Sequence, residues 1–482
     1  MFLKQIFDPA LAQYAYLVGC QRTGEALIID PERDIDRYKE IAAENDLKLT
    51  AVAETHIHAD FVSGSRELLE TQSGVTAYLS DMGPDDWKYE WAKGRNDVQL
   101  LKDGDTFNIG NIQITAIHTP GHTPEHICFL IEDKGSGANE PMGLASGDFV
   151  FVGDVGRPDL LESAAGMIGN MEPSARTLFQ SLVEFGKLPE FLQVLPAHGA
   201  GSACGKALGA VPSSTVGYEK RFNGALRTAL TKGEDAFVDE ILSGQPEPPM
   251  YFANMKKVNK IGPAVLNGIP EARKLDPFEV TQLLDDQDSV LLDTRQDRHA
   301  FMEDHLKGAL YTPKGNMLST VAGSFVRPEQ NIYLLVEDAA DVEPITRELI
   351  RIGLDNVRGY ALISEVKDSD KTCPHLVSTK SATTKDINHL KEKFPDSTVL
   401  DVRKSTEHAE GAVPGSVNIA YTRLGASQDK IPGGTLLVHC ASGKRAAFAS
   451  SFLESQGSDV VYLDGDFEDW EHSNVPAASA SA

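Results

Sequence analysis

Thr55-His56-Ile57-His58-Ala59-Asp60-Phe61 follows the apolar run Leu49-Thr50-Ala51-Val52-Ala53, and its meaning depends on three later fragments. These are Pro120-Gly121-His122, Ser146-Gly147-Asp148 and Pro196-Ala197-His198. Each follows a β-like run, so each stands where a strand ends and its side chains can converge with the others on one point. His and Asp delivered from several strand ends form the donor set of a first-row metal. Capping or packing at a loop entrance accounts for one such fragment but not for four in this order.

The four fragments resemble the metallo-β-lactamase fold, which pairs an HxHxDH run with a distal His, a bridging Asp and a last His. Phe61 stands where that run has its final His, and a phenyl ring cannot ligate. A second ion would keep only Asp60, His198 and the bridging Asp148, so one ion is expected. Phe7-Asp8-Pro9, Leu27-Ile28-Ile29-Asp30-Pro31, Gly121-His122-Thr123-Pro124 and Gly156-Arg157-Pro158-Asp159 are similar to the one-ion branch, the persulfide dioxygenases. That resemblance implies one Fe(II) per chain on His56, His122 and Asp148. Two His and one carboxylate on one face leave positions open for a soft sulfur and for O₂. His58, Asp60 and His198 become groups that orient the ligands. Arg157 steadies the loops of the metal site or contacts an anionic substrate. His118 and His126 flank His122 at helical spacing, but the intervening prolines break a helix there, so both are expected to be structural.

The chain has 482 residues, enough for about three domains, and a formal net charge of −26. That charge disfavours nucleic acid and anionic membranes as partners. Met1-Phe2-Leu3-Lys4-Gln5 has neither a basic start nor an apolar run, and no segment approaches a membrane span. Five cysteines are too few for a disulfide framework. A cytoplasmic enzyme with reduced thiols, assembled as a homo-oligomer, is expected.

One thiol stands apart. The strand-like Leu436-Leu437-Val438-His439 runs into Cys440-Ala441-Ser442-Gly443-Lys444-Arg445 and then a helical Ala-rich stretch. Loop N–H groups, the helix start, Lys444 and Arg445 all favour thiolate over thiol. With Leu400-Asp401-Val402-Arg403, Glu407 and Glu410-Gly411-Ala412-Val413-Pro414-Gly415 upstream, this resembles the rhodanese active loop. Gly-Ala-Val-Pro-Gly replaces the family's usual Gly-His-Ile-Pro-Gly. The short Cys-x₄-Arg loop suits a sulfane sulfur, whereas the related phosphatases use one residue more.

The same order of pieces occurs earlier. Leu291-Leu292-Asp293-Thr294-Arg295, His305-Leu306-Lys307-Gly308, Tyr333-Leu334-Leu335-Val336 and Gly353-Leu354-Asp355 form an internal repeat. Glu337-Asp338-Ala339-Ala340 follow where Cys and cations belong. Acid there cannot carry a sulfane sulfur, so this copy is expected to be catalytically dead.

The expected fold is α/β multidomain: a metallo-β-lactamase αββα sandwich over 1–265, and two rhodanese-like domains with parallel sheets. The inactive one spans 274–372 and the active one 381–475, with a low-complexity tail behind. This order resembles persulfide dioxygenase–rhodanese fusions. In those, a cysteine just past the last His is implicated in catalysis, which here is Cys204 of Gly201-Ser202-Ala203-Cys204. Cys20, Cys128 and Cys373 have no supporting context. The resemblance implies oxidation of a low-molecular-weight thiol persulfide by O₂ to sulfite and thiol, with Cys440 then passing sulfane sulfur to sulfite to give thiosulfate. The rival expectations are a two-zinc thioester hydrolase of the glyoxalase II kind with an appended rhodanese, and a non-catalytic sulfur carrier or redox scaffold.

Overall fold

The computed structural model describes residues 1–160, 169–206, 208–245, 247–284, 286–369 and 375–474. Cys373, Pro246 and the tail from 475 onward lie outside them. The chain divides into two compact units, residues 1–269 with 350–353, and residues 270–349 with 354–482.

Two six-stranded sheets build the first unit. In spatial order, the first holds Phe2–Asp8, Gln13–Cys20, Glu25–Ile29, Lys48–Ala53, Thr76–Ser80 and Val98–Leu101. Its first three strands are antiparallel meanders and the rest run parallel. The second sheet holds Thr106–Ile109, Ile112–His118, Ile127–Asp133, Gly143–Gly147, Gln193–Pro196 and Ser214–Thr215, each beside the next in the chain.

Alternation along the strands explains the layering. Leu27 and Ile29 face inward against Ile112, Ile114, Phe129 and Ile131 of the opposite sheet. Ala26 and Ile28 face outward, under Tyr38, Ala42 and Leu68 of helices Asp36–Ala43 and Ser65–Thr71. On the far side, Leu144 and Val194 meet Leu178 and Leu182 of helix Met171–Phe185. A sheet buried on both faces reads as a near-continuous apolar run, which is what Ala26-Leu27-Ile28-Ile29 is. The result is an αββα sandwich whose strand ends present the metal-type residues at one edge.

The second unit repeats one design. Its first sheet orders Arg273–Lys274, Val357–Leu362, Asn331–Val336, Ser289–Asp293 and Leu310–Tyr311. Its second orders Lys380–Thr383, Asp459–Asp464, Thr435–His439, Thr398–Asp401 and Val417–Asn418. Both are fully parallel, with the same permutation of strands. The Asp-x-Arg after the fourth strand folds alike in both. Arg295 grips Asp293, and Arg403 grips Asp401 through Nε at 3.0 Å and Nη2 at 2.7 Å. No helix among the described residues is long and apolar enough to cross a membrane.

Candidate active sites

Strand Lys48–Ala53 ends three residues before His56, and strand Gly143–Gly147 ends one before Asp148. His122 comes from the loop between Ile112–His118 and Ile127–Asp133, and His198 follows Gln193–Pro196. Gly147 permits this convergence. It has φ +53°, and a β-carbon there would come within 2.5 Å of Thr55 Oγ1 and 2.6 Å of His126 Nε2.

His56, His122 and Asp148 are all buried, and one ligand atom of each lies within 4.8 Å of the others. His122 Nε2 stands 3.5 Å and His56 Nε2 4.0 Å from Asp148 Oδ2. The far nitrogens are held. His122 Nδ1 meets the Arg157 carbonyl at 3.0 Å, so it carries the proton and leaves Nε2 as a free donor pair. His56 Nδ1 meets Thr55 Oγ1 at 3.0 Å. Burial, followed by the neighbouring imidazoles for His56, pushes both residues toward the neutral form that binds metal.

His56 Nε2, Asp148 Oδ1 and His198 Nε2 are buried without a hydrogen-bond partner among the described residues. Groups of this kind are costly unless something answers them. A cation held by His56, His122 and Asp148 answers the first two, and Asp60 Oδ2 faces the third from 3.1 Å, so the residues present fit a bound metal.

His58 falls outside that trio, although its Nδ1 is also buried without a hydrogen-bond partner among the described residues. Its Nε2 reaches Asp30 Oδ1 at 3.1 Å and its ring stacks on Phe61 with centroids 4.2 Å apart. Burial alone would lower its pKa, but Asp30, with Glu54 and Asp60 behind it, outweighs that and raises it to about 9. Asp30 also accepts from the Thr55 N–H at 2.7 Å and its hydroxyl at 2.9 Å, so one carboxylate sets the whole turn.

Asp60, His198 and Cys204 make a second buried trio, with one ligand atom of each within 4.8 Å of the others. His198 Nε2 lies 3.1 Å from Asp60 Oδ2 and 3.4 Å from Asp148 Oδ1, which joins the two trios. Burial, with Asp60 and Asp148 next, pushes the Cys204 thiol up to about 12. Arg157 is buried, bidentate to Asp159 at 3.0 and 2.7 Å, and donates to the Ala203 carbonyl at 2.9 Å. It ties the loop of Cys204 to the loop of His122. His126 takes the Asp148 N–H on Nε2 at 3.1 Å and meets Thr119 Oγ1 at 2.8 Å. His118 contacts the Pro124 carbonyl at 2.9 Å.

Two supports were not legible in the sequence. Asn259, on helix Phe252–Ile261, donates to the carbonyls of His58 at 2.8 Å and Phe61 at 2.7 Å, and accepts from the Ser63 N–H at 2.9 Å. Some two hundred residues separate it from that loop, and no motif marks it. Glu125 accepts from the Ile57 N–H at 2.7 Å, and burial pushes its carboxyl up to about 7. Its place beside Gly121-His122-Thr123-Pro124 was the available signal.

In the second unit, Cys440 is buried at the end of strand Thr435–His439. The turn swings through Gly443 at φ +81° into helix Lys444–Ser455, whose start has no side-chain cap. Its first N–H groups are therefore open to an anion. Lys444 is exposed. Arg445 is bidentate to Glu407 at 2.6 and 2.7 Å, so much of its charge is spent on that carboxylate. In the first repeat, strand Asn331–Val336 enters a turn where the Asp338 side chain accepts the Ala340 N–H at 2.9 Å. A carboxylate of the chain itself caps that turn.

Comparison with known proteins agrees with both halves. Residues 8–198 match the metallo-beta-lactamase superfamily, and residues 384–473 match the rhodanese-like domain. The chain is 30% identical to the mitochondrial persulfide dioxygenase ETHE1 of Bos taurus, over 41% of this chain and 68% of that one. It is also 30% identical to a hydroxyacylglutathione hydrolase of Francisella tularensis subsp. novicida, over the same shares. A crystal structure described as a metallo-beta-lactamase from Staphylococcus aureus subsp. aureus COL is 38% identical, with a TM-score of 0.65, and covers 75% of this chain and 98% of its own. The chain belongs to the metallo-β-lactamase superfamily and carries a rhodanese-like domain behind that fold.

Proposed function

We propose that the chain is a persulfide dioxygenase joined to a sulfurtransferase, with 1–265 as the dioxygenase domain, 274–372 as an inactive rhodanese-like domain and 381–475 as the active one. The observation that carries the first activity is the pairing of His56, His122 and Asp148 around one point while His58 is turned onto Asp30 and Phe61. That leaves two His and one carboxylate, a donor set suited to one Fe(II) with open positions. The iron, when bound, supplies a Lewis-acidic, redox-active meeting place for a sulfur donor and O₂.

The chain's own residues supply the rest. His122 and His56 present Nε2 because Arg157 and Thr55 hold their other nitrogens. Buried walls, including Phe151 and Phe252 near Cys204, exclude water. His198 and Asp60 hold a proton within reach of the centre, and Cys204 lies beside them as a sulfur acceptor. The overall change is R–S–SH + O₂ + H₂O → R–SH + SO₃²⁻ + 2 H⁺. The terminal sulfur is oxidised, O₂ is reduced, and the thiol leaves.

The second activity rests on the uncapped helix start beside Cys440. The Cys440 thiolate attacks the outer sulfur of a second persulfide, the S–S bond breaks, and R–SH leaves after taking up a proton. Sulfite then attacks the sulfane sulfur, thiosulfate departs, and the Cys440 thiolate is regenerated. One turn therefore takes R–S–SH + SO₃²⁻ to R–SH + S₂O₃²⁻. Persulfide detoxification in the cytoplasm is the physiological role we infer, with the thiol carrier unspecified.

The test is metal analysis of anaerobically purified protein with O₂ uptake on adding glutathione persulfide. One iron per chain, O₂ consumed and sulfite or thiosulfate formed is the expected result. Two zinc ions without O₂ uptake would overturn it and favour thioester hydrolysis, the reading that the second trio and the hydroxyacylglutathione hydrolase relative support. Bound iron with no O₂ uptake on any persulfide would favour the carrier role.

A further inference from the structure

One cation of the acid-capped repeat reaches the strand end that packs behind its neighbour's active loop. Strand Asp459–Asp464 ends beside that loop, and the Tyr462 hydroxyl donates to Asp464 Oδ1 at 2.7 Å. Gly443 packs against both residues. A β-carbon there would collide with Asp464 Oδ1 and come within 2.9 Å of the Tyr462 hydroxyl. The Ala441 carbonyl accepts the Phe467 N–H at 2.8 Å, which fixes the same turn to the segment after Asp464. A carboxylate this near a turn that receives anions works against them.

The compensation comes from the other repeat. Arg298, the first residue of helix Arg298–Glu303, approaches the Tyr462 hydroxyl through Nε at 3.2 Å and donates to Asp464 through Nη2 at 3.2 Å. His299 Nδ1 lies 3.6 Å from Asp464 Oδ2. Asp297 caps the start of that helix through the His299 and Ala300 N–H groups, so Arg298 is presented from an ordered turn. Around it the repeats are packed together. The Tyr311 N–H donates to Ser451 at 3.0 Å, and Phe325 stacks on Phe452 with centroids 4.5 Å apart. Arg445 cannot substitute for Arg298, because Glu407 holds it.

We propose that Arg298 of the first repeat is a positioning residue for the Cys440 loop of the second, neutralising Asp464 behind Gly443 so that an anionic sulfur donor or acceptor is admitted at Cys440. The functional sense of this rests on the sulfurtransfer reading above. The charge balance itself does not.

The experiment uses the full chain. Cys440 is alkylated with anionic iodoacetate and with neutral iodoacetamide, and both rates are read on its own peptide by mass spectrometry. Their ratio cancels thiolate fraction and access, leaving the preference for anions. In R298A the ratio should fall about 3- to 10-fold, R298K should restore most of it, and R298A/D464N should return it to the wild-type value. D464N alone should raise it, which keeps the test decisive if R298A fails to fold. In a thiosulfate–cyanide assay, R298A should raise KM for thiosulfate by a similar factor with kcat little changed.

An unmoved ratio in R298A, or a loss that D464N does not repair, overturns the proposal. Wild-type sulfurtransfer with an unmoved ratio removes this inference alone. A wild type without sulfurtransfer but with the shifted ratio removes the functional reading and leaves the charge balance standing.

Discussion

In the first unit the chemistry-bearing groups are side chains from four loops. His56, His122 and Asp148 bring ligand atoms to one point, and His56 Nε2 and Asp148 Oδ1 have no hydrogen-bond partner among the described residues; His198 stands beside them. In the second unit they lie in one turn of six residues, a cysteine followed by an uncapped helix start. Both stand at strand ends of α/β folds. The dispersed centre depends on distant residues to aim its donors, while the local one depends on the shape of a single loop and the charges around it. Mutations should therefore act at long range in one and at short range in the other.

The sharpest break is between the two chemistries. His122→Ala should abolish iron retention and lower O₂ uptake by on the order of 10³-fold or more, leaving sulfurtransfer from persulfide intact. Cys440→Ser should do the converse, with iron content and O₂ uptake kept and sulfane transfer lost. Metal analysis and the two assays on each variant check this. Loss of both activities in either variant would mean that the centres are not separable.

Next is the contrast between the cysteines. With its thiol near 12, Cys204 in metal-free protein should alkylate at pH 8 on the order of 10³-fold slower than an ordinary thiol. Its rate should still be climbing above pH 10. Peptide-resolved alkylation across pH reads this, and a plateau near pH 8 would show that burial and its anionic neighbours do not govern it.

Asn259→Ala tests the long-range dependence. It frees the His58 and Phe61 carbonyls from their shared donor, and metal affinity should fall about 10- to 100-fold. Competition with a chelator measures it, and an unchanged affinity would mean that the HxHxD turn holds its shape unaided.

The smallest effect is expected in the loop. Gly443→Ala places a β-carbon at φ +81° against Asp464 and Tyr462. It should destabilise the second unit by ~1–3 kcal/mol and slow sulfurtransfer about tenfold while iron retention is unchanged. Denaturant melts and both assays check this.

Legibility followed the same divide. The Cys440 loop could be read whole because its sequence neighbours are its spatial neighbours. The dispersed centre could be read because four fragments each end a strand in the right order. The sandwich was implied by the resemblance those fragments carry, and Ala26-Leu27-Ile28-Ile29, buried on both faces of its sheet, fits it. Asn259 could not be read, since an Asn within a helix becomes a clamp only when folding brings it to a loop two hundred residues away. Nor could Arg298, which carries no motif and acquires a partner only through the packing of one repeat on the other. The turning of His58 toward Asp30 depends on Asp30 lying at the end of the adjoining strand, where it adopts φ +51°. Alternation of apolar residues does not encode that conformation.

Asp338 has a consequence of its own. Its carboxylate accepts the Ala340 N–H in the turn that follows strand Asn331–Val336. On the proposed reading, a tethered carboxylate at that turn competes with any incoming anion at high effective concentration. Replacing Glu337 with cysteine should not by itself revive the first repeat, because Asp338 would still have to vacate its place. Cyanolysis of fully sulfurated protein should accordingly count one labile sulfur at the rhodanese loops of each chain, however much thiosulfate is supplied.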